Sequence, residues 1–158
     1  MIDKTEIILT AEGLEDLKKE LDNLINVVRK DVIKELVEAR AQGDLSENAD
    51  YDAARNRQAE VEARIKEVET MISKAKVIDS TKKSVGDVKI GSTVIVKNLK
   101  NSTDVEFKIV GAIEADPFKN MISNESPLAK AILGLSIGDT VEVREVREPY
   151  KITIKEVK

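Results

Sequence analysis

The sequence contains no cysteine, no histidine and no tryptophan among its 158 residues. The absence of cysteine excludes disulfides, zinc-finger ligand spacings and thiol chemistry. The absence of histidine removes the commonest general base near neutral pH and the commonest metal ligand. Any chemistry must therefore use carboxylates, hydroxyl groups, Lys and Arg, or groups that belong to a partner.

Aromatic residues are also scarce, at 3% of the chain, whereas charged residues make up 35%. Because each buried ring contributes a large apolar area, this composition disfavours a large globular core and favours long, thin helices. No apolar run approaches the length of a membrane span, and "MIDKTEIILTAEG" lacks the basic and apolar regions of a signal peptide. We therefore expect a soluble, cytoplasmic protein without a membrane partner.

The charge is divided unevenly along the chain. Residues 1–79 carry 13 basic and 19 acidic side chains, whereas residues 80–158 carry 13 basic and 11 acidic ones. The overall net charge of −4 argues against a general nucleic-acid coat, which would need an excess of Lys and Arg. The contrast between the halves indicates two modules.

Two apolar seams at coiled-coil spacing occupy the first module. The first seam follows Thr10 and comprises Leu14, Leu17, Leu21, Leu24 and Val28, after which its phase shifts through Val32 and Leu36. The second seam comprises Ala54, Gln58, Val61, Ile65, Val68, Ile72 and Ala75. Gly43 ends the first helix, so only a short turn separates the seams. Residues 1–79 are predicted to form an antiparallel coiled-coil hairpin.

The second module, residues 80–158, changes to period-two alternation. The segments "STVIVKNL", "VEFKIVGAI", "DTVEVREV" and "YKITIKEV" are typical of strands. Ser126 suits a helix N-cap, Pro127 suits the first helical position, and Gly134 suits the end of a short helix. The prediction is an α+β protein, in which a helical hairpin is followed by a mostly antiparallel β domain with one short helix.

The turn of the hairpin, residues 43–52, concentrates four carboxylates. Asp44 could cap the second helix, with Glu47 as its capping-box partner. The same carboxylates could also offer oxygen atoms to Mg²⁺, which usually takes only one or two protein carboxylates. Two exposed carboxylates make a poor metal site alone, but they can supply part of a site that a partner completes. The spacing of the residues leaves both the capping and the metal-binding interpretation open.

The segment "EARAQGDLSENADYDAARNRQ" resembles the tip signature of the Gre family of transcript-cleavage factors, and "ISNESPLAKAILG" resembles their C-terminal domain. The resemblance implies an FK506-binding-protein-like second domain that docks on RNA polymerase. It implies that the hairpin enters the polymerase's secondary channel and stimulates cleavage of the backtracked 3′ end of the nascent RNA. Asp44 and Glu47 would assist catalysis by holding a Mg²⁺ ion jointly with the polymerase, while the isolated protein would bind none and would not be an enzyme.

Four further positions near the tip match that signature or flank it. Asn48 and Tyr51 would position the tip or the RNA end. Arg40 and Arg55 would bind RNA phosphate, although a flanking Arg can equally be a surface charge paired with a neighbouring carboxylate.

In the second domain, Ser126 and Pro127 would contact the polymerase, although helix capping alone also explains them. We expect a monomer. The alternative function is that of a Gre-like inhibitor, which occupies the polymerase channel without stimulating cleavage. A prolyl isomerase is disfavoured by the lack of aromatics, and a passive coiled-coil adaptor would leave the acidic turn unexplained.

Overall fold

The computed structural model describes residues 5–43, 48–78 and 87–158. It divides into two compact units. One unit is Leu14–Ala75, and the other consists of the described residues up to Gly13 together with those from Lys76 onward. The helices are α1 (Ala11–Asn23), α2 (Arg29–Ala41), α3 (Ala49–Ser73) and α4 (Pro127–Ile132). The strands are β1 (Ile7–Leu9), β2 (Ala75–Val77), β3 (Thr93–Asn98), β4 (Thr103–Val110), β5 (Met121–Ser123), β6 (Thr140–Val143) and β7 (Tyr150–Val157). The predicted α+β class is confirmed.

The helical unit is an antiparallel hairpin. Arg29 of α2 pairs with Glu62 of α3, and Arg57 of α3 pairs with Glu35 of α2, so the two helices run in opposite directions. Val32, Val61 and Ile65 form the buried centre of the seam, with Leu21, Leu24, Ile25 and Val28 packed around them. The seams are confirmed as contact surfaces at Leu21, Leu24, Val28, Val32, Val61 and Ile65. The predicted last seam position, Ala75, is wrong, because α3 ends at Ser73 and Ala75 begins β2.

A π-helical segment, Leu24–Val28, separates α1 from α2. The backbone N–H of Arg29 donates to the carbonyl of Leu24, five residues back rather than four. Such a turn holds one extra residue and rotates the following side chains around the helix axis. This insertion coincides with the predicted change of phase in the first seam after Val28.

The other unit contains a five-stranded sheet with the order β5-β4-β3-β7-β6. Its pairings are antiparallel except for β4 with β5, and a bulge interrupts the β3–β7 register between Ile95 and Val96. Helix α4 contributes Ala129 and Ile132 to a core that also contains Val88, Val94, Val96, Phe107, Ile109, Val143, Ile152 and Ile154. The mostly antiparallel sheet with a short helix agrees with the strand and cap patterns of the sequence.

The start of the chain belongs with the sheet unit. Strand β1 pairs with β2, and Thr10 caps α1 by accepting a hydrogen bond from the backbone of Gly13 at 3.1 Å. The Glu114 carboxylate accepts from the Thr10 amide at 2.9 Å and from its hydroxyl at 2.5 Å. A methyl group on Gly13 would lie 2.1 Å from a Glu114 oxygen, so the close approach needs glycine.

This grouping differs from the sequence-based division into residues 1–79 and 80–158, because residues 5–13 belong with the sheet unit. The boundary between 79 and 80 lies outside the described residues. Within the described ranges, none of the helices has the length and apolar character needed to cross a membrane.

Candidate functional site at the end of the helical hairpin

The end of the hairpin is bounded by the last turn of α2 and the first turn of α3. Helix α2 finishes at Ala41 with Gln42 as its C-cap, and Gly43 adopts a φ of +109°, a conformation that favours glycine. Helix α3 begins at Ala49. The predicted catalytic and metal-holding pair, Asp44 and Glu47, lies outside the described residues.

Asn48 is the N-cap of α3. Its side-chain oxygen accepts a hydrogen bond from the Tyr51 amide at 3.0 Å, and its side-chain nitrogen donates to the carbonyl of Ala39 at 2.7 Å. One amide thus satisfies a free N–H at the start of α3 and a carbonyl in the last turn of α2. The side chain fastens the two helix ends together.

The interpretation of Asp44 as the N-cap of the second helix is wrong, because α3 begins five residues after it and Asn48 occupies the cap. The N3 position, which a capping-box glutamate would fill, is Tyr51 rather than Glu47. Asn and Asp are comparable caps in isolation. Asn48 has the advantage that its amide also supplies a donor for Ala39, which a carboxylate lacks.

Tyr51 lies between two arginines that come from different helices. The guanidinium carbons of Arg40 and Arg55 are each 5.9 Å from the centroid of its ring, within the range of a cation–π contact. Hydrogen bonding to Arg40 lowers the pKa of the Tyr51 phenol below its usual range, and the charges of Arg40 and Arg55 act in the same direction. The structure therefore brings three of the predicted tip residues into one cluster.

Both arginines of this cluster are exposed, and the tyrosine is half-buried. Two guanidiniums beside one ring concentrate positive charge and offer planar donors that suit phosphate oxygens. The arrangement is chemically suited to the phosphates of a single nucleic-acid strand.

Another face of the same hairpin end has a different character. A groove of about 330 Å³ is lined by Glu35, Glu38, Ala39, Gln42, Asp50, Ala53, Ala54 and Arg57. Arg57 forms an ion pair there with Glu35. At about 100° per residue, positions 50, 53 and 57 lie on one side of α3 and positions 51 and 55 on another. The hairpin end thus has a cationic face and a largely anionic one.

Sequence reasoning missed this groove, although the signal was available. Glu35 and Glu38 are three positions apart and Asp50 and Arg57 seven positions apart, spacings that place each pair on one helix face. Only the antiparallel register brings the two pairs together.

Ser126 and Pro127 occupy the start of α4, remote in sequence from the hairpin. The Ser126 hydroxyl accepts a hydrogen bond from the Ala129 amide at 3.3 Å, and Pro127 takes the first helical position. The capping function of Ser126 is confirmed. A contact of these residues with a partner stays a prediction.

Comparison with known proteins identifies the family. The model of the N-terminal domain of transcription elongation factors matches residues 7–77, and the model of the GreA/GreB C-terminal domain matches residues 82–158. A transcription elongation factor GreA from Mycoplasma capricolum is 70% identical over 154 residues, which cover 97% of this chain and 98% of the relative. The chain belongs to the GreA/GreB family of transcription elongation factors.

A GreA from Mesoplasma florum is 66% identical, and the alignment covers 96% of this chain and 97% of the relative. A GreA from Mycoplasma genitalium is 47% identical, and the alignment covers 94% of each chain. Among solved structures, GreA factor homolog 1 of Thermus thermophilus aligns over 97% of this chain and 99% of its own, with 24% identity and a TM-score of 0.44. Because that score is low, membership of the GreA/GreB family rests on the sequence matches.

Proposed function

We propose that this elongation factor inserts the end of its hairpin into the secondary channel of RNA polymerase and stimulates endonucleolytic cleavage of backtracked nascent RNA. Cleavage gives the polymerase a new RNA 3′ end and rescues arrested complexes. The observation that carries the proposal is the Arg40–Tyr51–Arg55 cluster at the end of an antiparallel hairpin. In the sequence, the acidic positions 44 and 47 fall between Arg40 and Tyr51. Such a cluster suits the phosphates of an extruded RNA strand.

The acidic pair is proposed to act on the reaction through Mg²⁺. Asp44 and Glu47 supply carboxylate oxygens, the donors that Mg²⁺ prefers, but two carboxylates leave most of its coordination positions to other ligands. The ion would therefore be held jointly with RNA polymerase and not by the isolated protein. When bound, a Mg²⁺ ion supplies Lewis-acid stabilisation of the phosphoryl oxygens and a more acidic bound water.

The described residues would prepare this step. Arg40 and Arg55 would bind the phosphates of the RNA 3′ segment and so fix the strand beside the acidic pair. Asn48 would keep the ends of α2 and α3 together, which limits the positions that the intervening residues can sample. The polymerase supplies the remaining catalytic groups, so the factor is proposed to be a stimulator rather than an enzyme in its own right.

The sheet unit is proposed to dock on the polymerase, with Ser126 and Pro127 in the contact. We propose a cytoplasmic monomer, since one hairpin and one docking unit suffice for this action.

The test uses a stalled, backtracked elongation complex with labelled RNA and Mg²⁺. Asp44→Asn and Glu47→Gln should abolish stimulation of cleavage while binding to the polymerase is retained, because each change removes charge but little volume. Asp52→Asn, in the exposed first turn of α3, is the matched control and should cleave as the unmodified protein does. Wild-type cleavage by both tip variants would refute the metal role.

A second measurement addresses the source of catalysis. The purified factor should not hydrolyse RNA at any Mg²⁺ concentration when polymerase is absent. Hydrolysis that disappears in the Asp44→Asn variant would contradict the shared site. If the unmodified protein binds in the channel but never stimulates cleavage, the inhibitor function would replace the proposed one.

A further inference from the structure

A single aromatic side chain of the sheet unit projects fully into solvent. Phe118 is 99% exposed, whereas Phe107 is 3% exposed in the core. The other large exposed apolar side chains that the structure describes have exposed fractions of 41–61%. Isolated surface apolar residues are common. A complete phenyl ring without intramolecular packing is different, because it contributes nothing to the stability of the fold that displays it.

The backbone that carries this ring is firmly held. Phe118 is the centre of a 3₁₀ turn, Pro117–Lys119, which is closed by paired backbone hydrogen bonds between Asp116 and Met121 at 2.9 and 3.0 Å. The Asp116 carboxylate accepts from the Phe118 amide at 3.0 Å.

The turn is also tied to the sheet. Asn120 adopts a left-handed conformation with a φ of 53°, and its carbonyl accepts a hydrogen bond from the Lys108 amide of β4 at 2.9 Å. The backbone that presents the ring therefore loses little conformational freedom on binding, and in this respect the contact is preorganised.

We propose that Phe118 is an apolar anchor that inserts into a pocket on the surface of RNA polymerase and strengthens docking of the sheet unit. The inference rests on the proposed function and adds a contact that is distinct from Ser126 and Pro127. Aromatic side chains that enter a partner's pocket are among the residues that contribute most to the affinity of protein interfaces.

The charges around the ring favour a protein pocket over a nucleic-acid strand. The same loop carries the carboxylates of Glu114 and Asp116 but only one cation, Lys119. The Lys119 ammonium group already lies 3.9 Å from the Asp116 carboxylate. Stacking on RNA would bring phosphates towards this net negative loop, which is electrostatically unfavourable.

A second copy of this chain is also a poor occupant. The groove that the structure describes at the hairpin end has Glu35, Glu38 and Asp50 in its wall. Burying a phenyl ring there would take these carboxylates out of water, an unfavourable change that the apolar ring does not offset.

The experiment compares the affinity of RNA polymerase for the full-length factor and its Phe118→Ala, Phe118→Leu and Leu99→Ala variants. Leu99 is 45% exposed in the same unit and serves as the matched control. Phe118→Ala should weaken binding about ten- to thirtyfold. Phe118→Leu should recover part of that loss because it restores apolar volume, and Leu99→Ala should bind as the unmodified factor does.

Three accompanying measurements make the result decisive. The two Phe118 variants should unfold at the same urea concentration as the unmodified factor, since the phenyl ring packs against nothing in the fold. At saturating factor, Phe118→Ala should cleave backtracked RNA at the unmodified rate, because the tip is unchanged. Sedimentation of the factor alone should show the same mass for the unmodified protein and Phe118→Ala.

Equal polymerase affinity for Phe118→Ala and the unmodified factor would overturn the anchor while leaving the proposed function intact. A dimer that Phe118→Ala abolishes, with unchanged polymerase affinity, would assign the ring to self-association. Slower cleavage by Phe118→Ala at saturating factor, with unchanged polymerase affinity, would assign the ring to a contact with RNA. Failure of the unmodified factor to bind polymerase would overturn the proposed function itself, and the anchor with it.

Discussion

Replacing Asn48 by Asp tests the two hydrogen bonds of its side chain independently, because it should keep one and remove the other. In the folded protein its oxygen accepts from the Tyr51 amide and its nitrogen donates to the Ala39 carbonyl. Aspartate is as good an N-cap as asparagine, so the first bond is retained. The second is lost, because a carboxylate has no donor and would bring negative charge against a carbonyl oxygen.

The magnitude follows from these two contributions. Loss of an N-cap costs about 1 kcal/mol, and loss of a partly buried hydrogen bond costs about 0.5–1.5 kcal/mol, more if an acceptor is left without a partner. Asn48→Ala should therefore destabilise the hairpin by about 1.5–2.5 kcal/mol. Asn48→Asp should lose about 1–2 kcal/mol despite keeping its cap, because the contact with Ala39 becomes repulsive.

The assay is urea unfolding followed by helical circular dichroism, together with cleavage of backtracked RNA at saturating factor. Both variants should lower the cleavage rate, since the helix ends on either side of positions 44 and 47 are no longer fastened to each other. Asn48→Ser, which keeps a capping oxygen, is the comparison for a cap without the amide nitrogen. If Asn48→Asp matches the unmodified protein in both stability and cleavage, the link to Ala39 has no structural or functional importance.

Three further outcomes are expected. Arg40→Ala and Arg55→Ala should each reduce crosslinking of the RNA 3′ end to the factor by about tenfold, and this loss should shrink as the salt concentration rises. Unchanged crosslinking with a lower melting temperature would show that the arginines stabilise the fold and do not bind RNA. Since the pKa of Tyr51 is lowered chiefly by its hydrogen bond to Arg40, Arg40→Ala should move the ultraviolet titration of this phenol to higher pH, and an unmoved titration would contradict the contact. Glu114→Gln should destabilise the sheet unit by about 1–3 kcal/mol, because the amide nitrogen then faces one of the two Thr10 donors and cannot accept from it. Equal urea midpoints would refute this.

The hairpin seam and the strands β3, β4, β6 and β7 were predictable because each depends on a local repeat, whereas the three-residue strands β1, β2 and β5 are too short to show one. The apolar positions from Leu14 to Val28 and from Ala54 to Ala75 recur at helical spacing, and burying them requires a single partner helix. The cap of α4 was equally local, since Ser126 and Pro127 are adjacent. Periodicity and capping rules reach only a few residues along the chain, and these elements need no more.

The N-cap of α3 was not predictable from such rules. Residues 44–52 offer several side chains with similar capping ability, so intrinsic preference does not choose between Asp44 and Asn48. The choice depends on α2, because the amide of residue 48 reaches the Ala39 carbonyl, nine positions away in sequence. A pattern among neighbouring residues gives no information about a contact between positions 39 and 48.

The packing of the start of the chain against the sheet unit was unpredictable for the same reason, because it depends on a contact between residues far apart in sequence. Thr10 was recognised as a helix start, but its partner Glu114 lies 104 positions away. No repeat or motif joins the two, and only the packed sheet brings the carboxylate to the helix. Contacts of this kind assign residues 5–13 to the unit that follows the hairpin.

The size of the side chains along the seam explains why the Arg40–Tyr51–Arg55 cluster lies at the end of the hairpin. The centre of the hairpin packs through Val32, Val61 and Ile65, whereas its end packs through Ala39 and Ala54. Small side chains let two helix backbones approach closely, so groups from opposite helices can share one contact. Asn48 then reaches the Ala39 carbonyl, and arginines of both helices reach one tyrosine ring. The alanines, which carry no chemistry themselves, thus allow the hairpin end to assemble its charged groups from two helices.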